Sequence, residues 1–148
     1  SDVYKRQTKK SVQLRDMERI FSDLDVVLVN LQYGDVDDEI RAFKEETGID
    51  VLQCASVDNR EDLDGLAALI EACDLVVSIT NVTVHMAGAL AKETWVLLPC
   101  VANFWWLLER KDSVWYPSLT LYRQPVLDDW DSVYVSLRQD LQERLQCN

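Results

Sequence analysis

LVVSITNVTVHMAGALAKETWVLLP, residues 75–99, is the stretch whose reading decides the fold. Its first run, Leu75-Val76-Val77-Ser78-Ile79, is too short for a buried helix and rich in β-branched residues, so it reads as an interior strand of a parallel sheet. The polar knot Thr80-Asn81-Val82-Thr83 offers capping side chains for a helix start. Small residues over 84–91 make the helix, and residues 94–98, closed by Pro99, make a second strand. Strand, polar turn, helix and strand form a βαβ unit. Its turn lies at a strand carboxyl end and a helix amino end, where open α/β sheets bind ligands.

Working outward, the same alternation continues on both sides. Residues 62–72 form a helix with Leu63, Leu66, Ala67 and Ile70 on one face, and Asp74 leads into the strand. Before it come a strand candidate at 49–54, a polar loop at 56–60, and a helix at 37–47 stopped by Gly48 in the left-handed conformation. Residues 25–31 (DVVLVNL) read as a buried strand that ends in Gln32-Tyr33-Gly34-Asp35, a turn at the topological position of 80–83. Ser11 caps a helix reaching Phe21, with Leu14, Met17 and Ile20 at helical spacing. After Pro99 the pattern changes. Residues 103–110 are an aromatic-rich short helix or loop, Trp115-Tyr116-Pro117 a rigid turn, and 119–123 a short edge strand. Residues 130–145 close the chain as an amphipathic helix, with Val133, Leu137, Leu141 and Leu145 four apart. The order αβαβαβαβ predicts an α/β fold, a Rossmann-like parallel sheet flanked by helices.

Bulk properties narrow the function. At 148 residues the chain is one domain large enough for a real core, with 48% apolar and 28% charged residues. A net charge of −11 argues against sequence-independent nucleic-acid binding and against anionic membranes. No apolar run approaches bilayer length, so no transmembrane segment is expected, and no signal-peptide pattern is present. Cys54, Cys73, Cys100 and Cys147 are scattered without metal-ligand spacing, which predicts free thiols, no metal site and a cytoplasmic setting. Residues 1–7 (SDVYKRQ) match one reading frame of a transposon-end sequencing adaptor; the alternative is a natural basic tail. Residues 1–10 are therefore set apart as a non-native or disordered tail. Residues 11–148 are taken as the domain, a fragment of a longer chain.

The polar turn carries the strongest chemical signal. At a helix amino end several N–H groups lack intrahelical partners and the dipole favours negative charge, which suits a diphosphate. Asn81 and Thr83 would add side-chain donors, His85 falls in the first turn, and Gly88 permits close approach of a helix or ligand. The structural alternative is a capped core helix with a half-buried histidine. Phe104, Trp105, Trp106, Trp115 and Tyr116 fit either stacking on a base or sugar, or core and domain-interface packing. Arg110 and Arg123 fit either phosphate contact or pairing with Asp112 or Asp128. Carboxylates at 35–38 fit either a metal or a solvated helix start.

Residues 80–99 closely resemble the D-[TN]-x-x-x-H-x-A-G-A-L-G-x-P-x-W-V-L-L-P signature of heptosyltransferase-like glycosyltransferases (family nine), in the version found in bacterial tetratricopeptide-repeat proteins. LQYGD at 31–35 resembles the family's L-Q-x-G turn. Residues 62–78 resemble its D-x-x-x-x-A-x-L-I-x-x-x-D-L-V-I-S, and residues 104–124 its W-R-W-L-x-x-R-x-D-S-P-W-Y-P-x-x-R-L-F-R-Q. The likeness runs from Ser11 to the end.

The resemblance implies the C-terminal, donor-binding half of a GT-B fold, holding a nucleotide-sugar donor without metal or other cofactor. It implies that Thr80, Asn81, Val82, Thr83 and His85 flank the donor diphosphate and sugar, that Gln32, Tyr33 and Gly34 line the nucleoside side, and that Glu39 meets the ribose hydroxyls. The catalytic base would lie on an N-terminal Rossmann-like domain in cis, beside tetratricopeptide repeats, so this fragment is expected to bind a donor only weakly and not to turn over alone. Thr80 stands where the family more often has Asp. Ala91 replaces the usual Gly and Glu93 the usual Pro, which predicts a less constrained turn into the next strand. Two rival readings are a non-catalytic interaction module that keeps the fold and a nucleotide-sugar epimerase; the block at 105–124 argues against the latter.

Overall fold

The computed structural model describes residues 12, 14–32, 36–59, 61–100, 111–113 and 115–147. The tail at 1–10, Ser11, Tyr33, Gly34, Phe104, Trp105, Trp106 and Arg110 lie outside the described residues.

A 3-10 turn at Leu14–Met17 runs into α1 (Glu18–Phe21). Then follow β1 (Leu28–Val29), α2 (Asp37–Thr47), β2 (Val51–Leu52), α3 (Leu63–Ala72), β3 (Val76–Ile79), α4 (Val82–Ala89), β4 (Thr94–Leu98), β5 (Leu119–Arg123) and α5 (Trp130–Gln146). The fold is α/β, with parallel sheets flanked by helices. The strands form two hydrogen-bonded groups among the described residues: β1 beside β2, and β3-β4-β5 with β4 in the middle, every pair parallel.

β4 is the centre of the larger sheet, and all five of its residues are buried. Period-two alternation sends Trp95 and Leu97 to one face and Val96 and Leu98 to the other. The first face packs on Val133, Tyr134, Leu137 and Leu141 of α5 and on Ile20 of α1; the second packs on Val84, Leu119 and Leu121. A strand covered on both faces favours apolar residues, which is why WVLL at 95–98 reads as a continuous apolar run; the buried Thr94 at its start is satisfied by the Lys92 carbonyl, to which its hydroxyl donates at 2.9 Å. Arg138 of α5 pins the N-terminal segment to this core. Its Nη1 donates to the carbonyls of Ile20 and Ser22 at 3.0 and 2.7 Å, satisfying acceptors at the end of α1.

Two expected strands are shorter and less buried than their sequences imply. Only Leu28 and Val29 of the 25–31 run pair with a neighbour, and Val27 is 74% exposed. Within 49–54 only Val51 and Leu52 pair, and Leu52 is half exposed. An apolar β-branched run reports suitability for a pleated surface; the residues that cover it come from elsewhere in the chain. Likewise β3, expected in the sheet interior, pairs only with β4 among the described residues, and three of its four residues are half-buried. Leu63, placed on the buried face of its helix, is the first residue of α3 and is 55% exposed.

The helices follow their punctuation closely. α2 spans 37–47 as read, with Asp37, Asp38 and Glu39 complementing the dipole and Gly48 at φ +74° ending it. α3 is capped by Asp62, whose Oδ1 accepts from the Gly65 N–H at 2.8 Å. At its other end Lys92 Nζ donates to the carbonyls of Glu71 and Cys73 at 3.0 and 2.7 Å. Burial pushes the Cys73 thiol up, so it stays protonated. All four cysteines are free. No helix of the described residues is long and apolar enough to cross a membrane.

Candidate functional site

α4 begins two residues earlier than the sequence reading placed it, and its cap is Asn81. The Asn81 backbone is extended (φ −158°, ψ −176°), and its Oδ1 accepts from the Val84 N–H at 3.2 Å. Its Nδ2 donates to Ser78 Oγ at 3.1 Å, and Ser78 in turn donates to the Ile79 carbonyl at 2.9 Å. The Asn81 side chain thus shapes the turn, its Oδ1 capping the helix and its Nδ2 donating one hydrogen to Ser78. Thr83 falls inside the first helical turn and is buried. What the turn offers a ligand is backbone: the Val82 and Thr83 N–H groups have no intrahelical acceptor by the geometry of the helix.

Electrostatics single out this helix start. α1, α2, α3 and α5 each carry a carboxylate in the first turn, and Asp62 and Asp129 also cap theirs. α4 has a neutral cap and no acidic residue in its first turn. In a chain of net charge −11, it is the helix dipole among these five that no carboxylate already neutralises. Thr80 follows β3 and leads directly into the Asn81 cap. Val82, 66% exposed, stands at its mouth.

His85 is exposed on the first turn and meets a residue the sequence left in a separate motif. Its Nδ1 lies 3.4 Å from Tyr116 Oη, and the two rings meet edge-on with centroids 5.8 Å apart. Gly88, one turn on, explains how Tyr116 reaches that position. A Cβ there would lie 2.5 Å from the Tyr116 ring, so only glycine lets the ring lie against the helix. The close approach foreseen for Gly88 is therefore to a tyrosine. Ser113, buried, holds the turn that delivers it: the Trp115 and Tyr116 N–H groups both donate to Ser113 Oγ at 3.2 Å. Trp115 points outward, 65% exposed. Sequence periodicity carried no sign of the Ser113–Tyr116–His85 chain, whose members are up to 31 residues apart.

Among curated proteins, the chain is similar to Protein FlbA of Caulobacter vibrioides, 39% identical over 106 residues. That match covers 72% of this chain and 17% of FlbA, so the chain spans about a sixth of the length of the curated relative it matches. No family model and no solved structure matches.

The second expected wall of the site is at the end of β1. The Gln32 N–H donates to Asn30 Oδ1 at 3.0 Å, closing a tight polar turn. Asn59 Nδ2, from the loop after β2, donates to the carbonyls of Asn30 and Gln32 at 3.3 and 3.0 Å. Asn59 is the residue that sequence reasoning missed here; it was one polar position in a polar loop. Leu31 packs against the cluster of Leu66, Ile70, Val76 and Ala87, which joins the end of β1 to α3, β3 and α4. Glu39 is exposed in the first turn of α2 and belongs to neither the Asn81 nor the Gln32 hydrogen-bond network among the described residues. Its neighbour Asp37 is better placed, accepting from Gln53 Nε2 at 2.9 Å. No group of three or more His, Cys, Asp or Glu gathers as a metal site among the described residues.

Beyond β4, the RQ pair of the 104–124 block is structural. Gln124 is 3% exposed, and its Oε1 accepts from the Cys100 N–H at 3.0 Å, tying the residue after β4 and Pro99 to the end of β5. Arg123, read as a phosphate contact or a surface ion-pair partner, has its Nε and Nη1 shielded from solvent, and burial lowers its pKa.

Proposed function

We propose that this chain is the nucleotide-diphosphate-sugar-binding, C-terminal half of a GT-B glycosyltransferase of the heptosyltransferase-like family. It would act in cis with an N-terminal Rossmann-like domain and tetratricopeptide repeats. The observation that carries the reading is the start of α4, a capped helix at the carboxyl end of β3 whose first turn has free backbone donors, an imidazole and no carboxylate. The family signature falls on this turn. The short match to the much longer FlbA fits a module of a larger protein.

In this reading the donor diphosphate sits on the Val82 and Thr83 N–H groups, with His85 beside it. As the sugar–phosphate bond breaks, negative charge accumulates on the leaving diphosphate. A fixed helix dipole stabilises that charge without having to reorganise. The sugar passes to an acceptor activated by a carboxylate of the facing domain, so the isolated chain binds the donor and does not transfer it.

Titration of the chain with ADP, GDP and UDP by calorimetry tests this. Saturable binding by at least one nucleotide is the expected result, weakened about fivefold or more by His85→Ala, which removes one ligand hydrogen bond worth about 1 kcal/mol, and weakened also by Asn81→Ala, which removes the cap that holds the Val82 and Thr83 N–H groups in place. Circular dichroism confirms that each variant keeps its fold. Absence of binding, or binding indifferent to both substitutions, sinks the donor reading. It would favour the interaction-module alternative, for which the exposed Val82 and Trp115 are the supporting observation.

A further inference from the structure

Tyr116 lies 28 residues past Gly88, yet it is the ring packed directly against that glycine of α4. We infer that Tyr116 is a positioning residue for His85, fixing the imidazole beside the first turn of α4. This deepens the donor-site reading and rests on it for the ligand.

Three contacts over-determine where Tyr116 sits. Ser113 Oγ, buried under the turn, accepts from the N–H groups of Trp115 and Tyr116 and sets the backbone direction. The face of the ring lies where a side chain at position 88 would be, and Gly88 leaves that space open. The Leu119 N–H donates to the Tyr116 carbonyl at 3.1 Å, tying the turn to the first residue of β5. A ring held at its backbone and along one face cannot follow the imidazole; the imidazole must follow it. The 3.4 Å separation of Tyr116 Oη from His85 Nδ1 and the edge-on ring contact then define one rotamer of an otherwise exposed side chain. When the phenol donates to Nδ1, the neutral imidazole carries its proton on Nε2. Nε2–H becomes a donor for a phosphate oxygen held at the start of α4. Gly88 and Ser113 are, on this account, parts of the same device: one gives the ring a seat and the other aims it.

Because the chain has a single histidine, its ring signals are unambiguous in a proton–nitrogen NMR spectrum. Tyr116→Phe keeps the seated ring and removes only Oη. The imidazole signals should shift while the backbone spectrum outside the turn is preserved. An unshifted imidazole overturns the inference, whether or not a nucleotide binds. The second arm is a double-mutant cycle read by nucleotide titration. Tyr116→Phe should weaken binding about threefold or more in the parent chain and have no effect in the His85→Ala background, because a residue acting through His85 has nothing left to position. Equal losses in both backgrounds would show that Tyr116 acts independently of His85 and would overturn the inference. If the parent chain binds no nucleotide, the donor reading fails alone, and the NMR arm still decides the placement of His85.

Discussion

Replacing Ala91 by glycine should stabilise the protein. Ala91 has φ +53°, in the left-handed region, immediately after α4. Its N–H donates to the Gly88 carbonyl at 3.0 Å, and the Lys92 N–H donates to the Ala87 carbonyl at 2.9 Å. That pair of bonds is the Schellman arrangement, which requires a left-handed residue at the position Ala91 occupies. The turn, with alanine where the resembled signature has glycine, is therefore not looser, as the sequence had implied. It keeps the glycine geometry with an alanine in it. The left-handed conformation costs an L-residue about 1–2 kcal/mol, and the greater freedom of glycine in the unfolded chain takes back about 0.4–1 kcal/mol. Ala91 is exposed, so its methyl contributes little packing. The balance favours Ala91→Gly by about 0.5–1 kcal/mol, or roughly 1–4 °C in Tm for a domain of this size. Thermal and urea unfolding followed by circular dichroism measure it, with Ala91→Val as the opposing control, expected to fall because a β-branched residue is still worse there. An unchanged or lower Tm for Ala91→Gly, with Ala91→Val neutral, would refute the claim that this turn is strained.

Other substitutions test the caps and the alkaline limit. Gly65→Ala would ordinarily strengthen a helix by about 1 kcal/mol, but a Cβ here would clash with the Asp62 carboxylate and displace the cap of α3, so urea denaturation should show lower stability. Arg138→Ala removes a charged donor from two backbone carbonyls and should cost about 2 kcal/mol, with earlier proteolysis of the N-terminal segment as a second readout. Tyr122 and Tyr134 have phenols raised above their ordinary value near 10, by burial first, and for Tyr122 then by its hydrogen bond to Asp140. Because the folded values lie above the unfolded ones, their contribution is complete below about pH 10 and is lost as the unfolded chain ionises first. Tm should therefore fall as pH rises above about 10. In Tyr122→Phe the fall should be shallower; an identical slope would argue against that tyrosine's share.

What the sequence made legible was whatever has a local cause. α2 could be bounded from an acidic first turn and a terminal glycine, and β4 from the apolar run WVLL before a proline, because each signal acts within a few residues of the structure it makes. Val27 and Leu63 were misplaced for the opposite reason: whether an apolar side chain is covered depends on partners that spacing does not name. In the site, the helix start at 80–83 was legible and so was its capping: Asn81 accepts from the Val84 N–H, as a polar knot at that position predicts. The burial of Thr83 was not, because it depends on what packs against α4. Asn and Thr are frequent at helix starts whether or not anything binds there.

The two motifs that the resemblance treats as separate, H-x-A-G-A-L at 85–90 and D-S-x-W-Y-P at 112–117, meet face to face here, and this contact constrains how the site works. Replacing Gly88 by alanine changes one methyl on a buried stretch of α4, yet that methyl would stand 2.5 Å from the Tyr116 ring. The ring must leave its seat, because the Ser113 bonds fix the backbone behind it and the helix fixes the carbon in front. Alanine also improves helix propensity by about 1 kcal/mol, so fold stability can be nearly balanced while the ring contact is lost. Gly88→Ala should thus behave differently from an ordinary core substitution. The imidazole signals of His85 should move at least as far as in Tyr116→Phe, and nucleotide affinity should fall with them, while Tm changes by no more than about 2 °C, the shift about 1 kcal/mol gives at the lower end for this size. A variant that unfolds, or one that keeps the His85 signals in place, would show that position 88 serves packing and not the placement of the histidine.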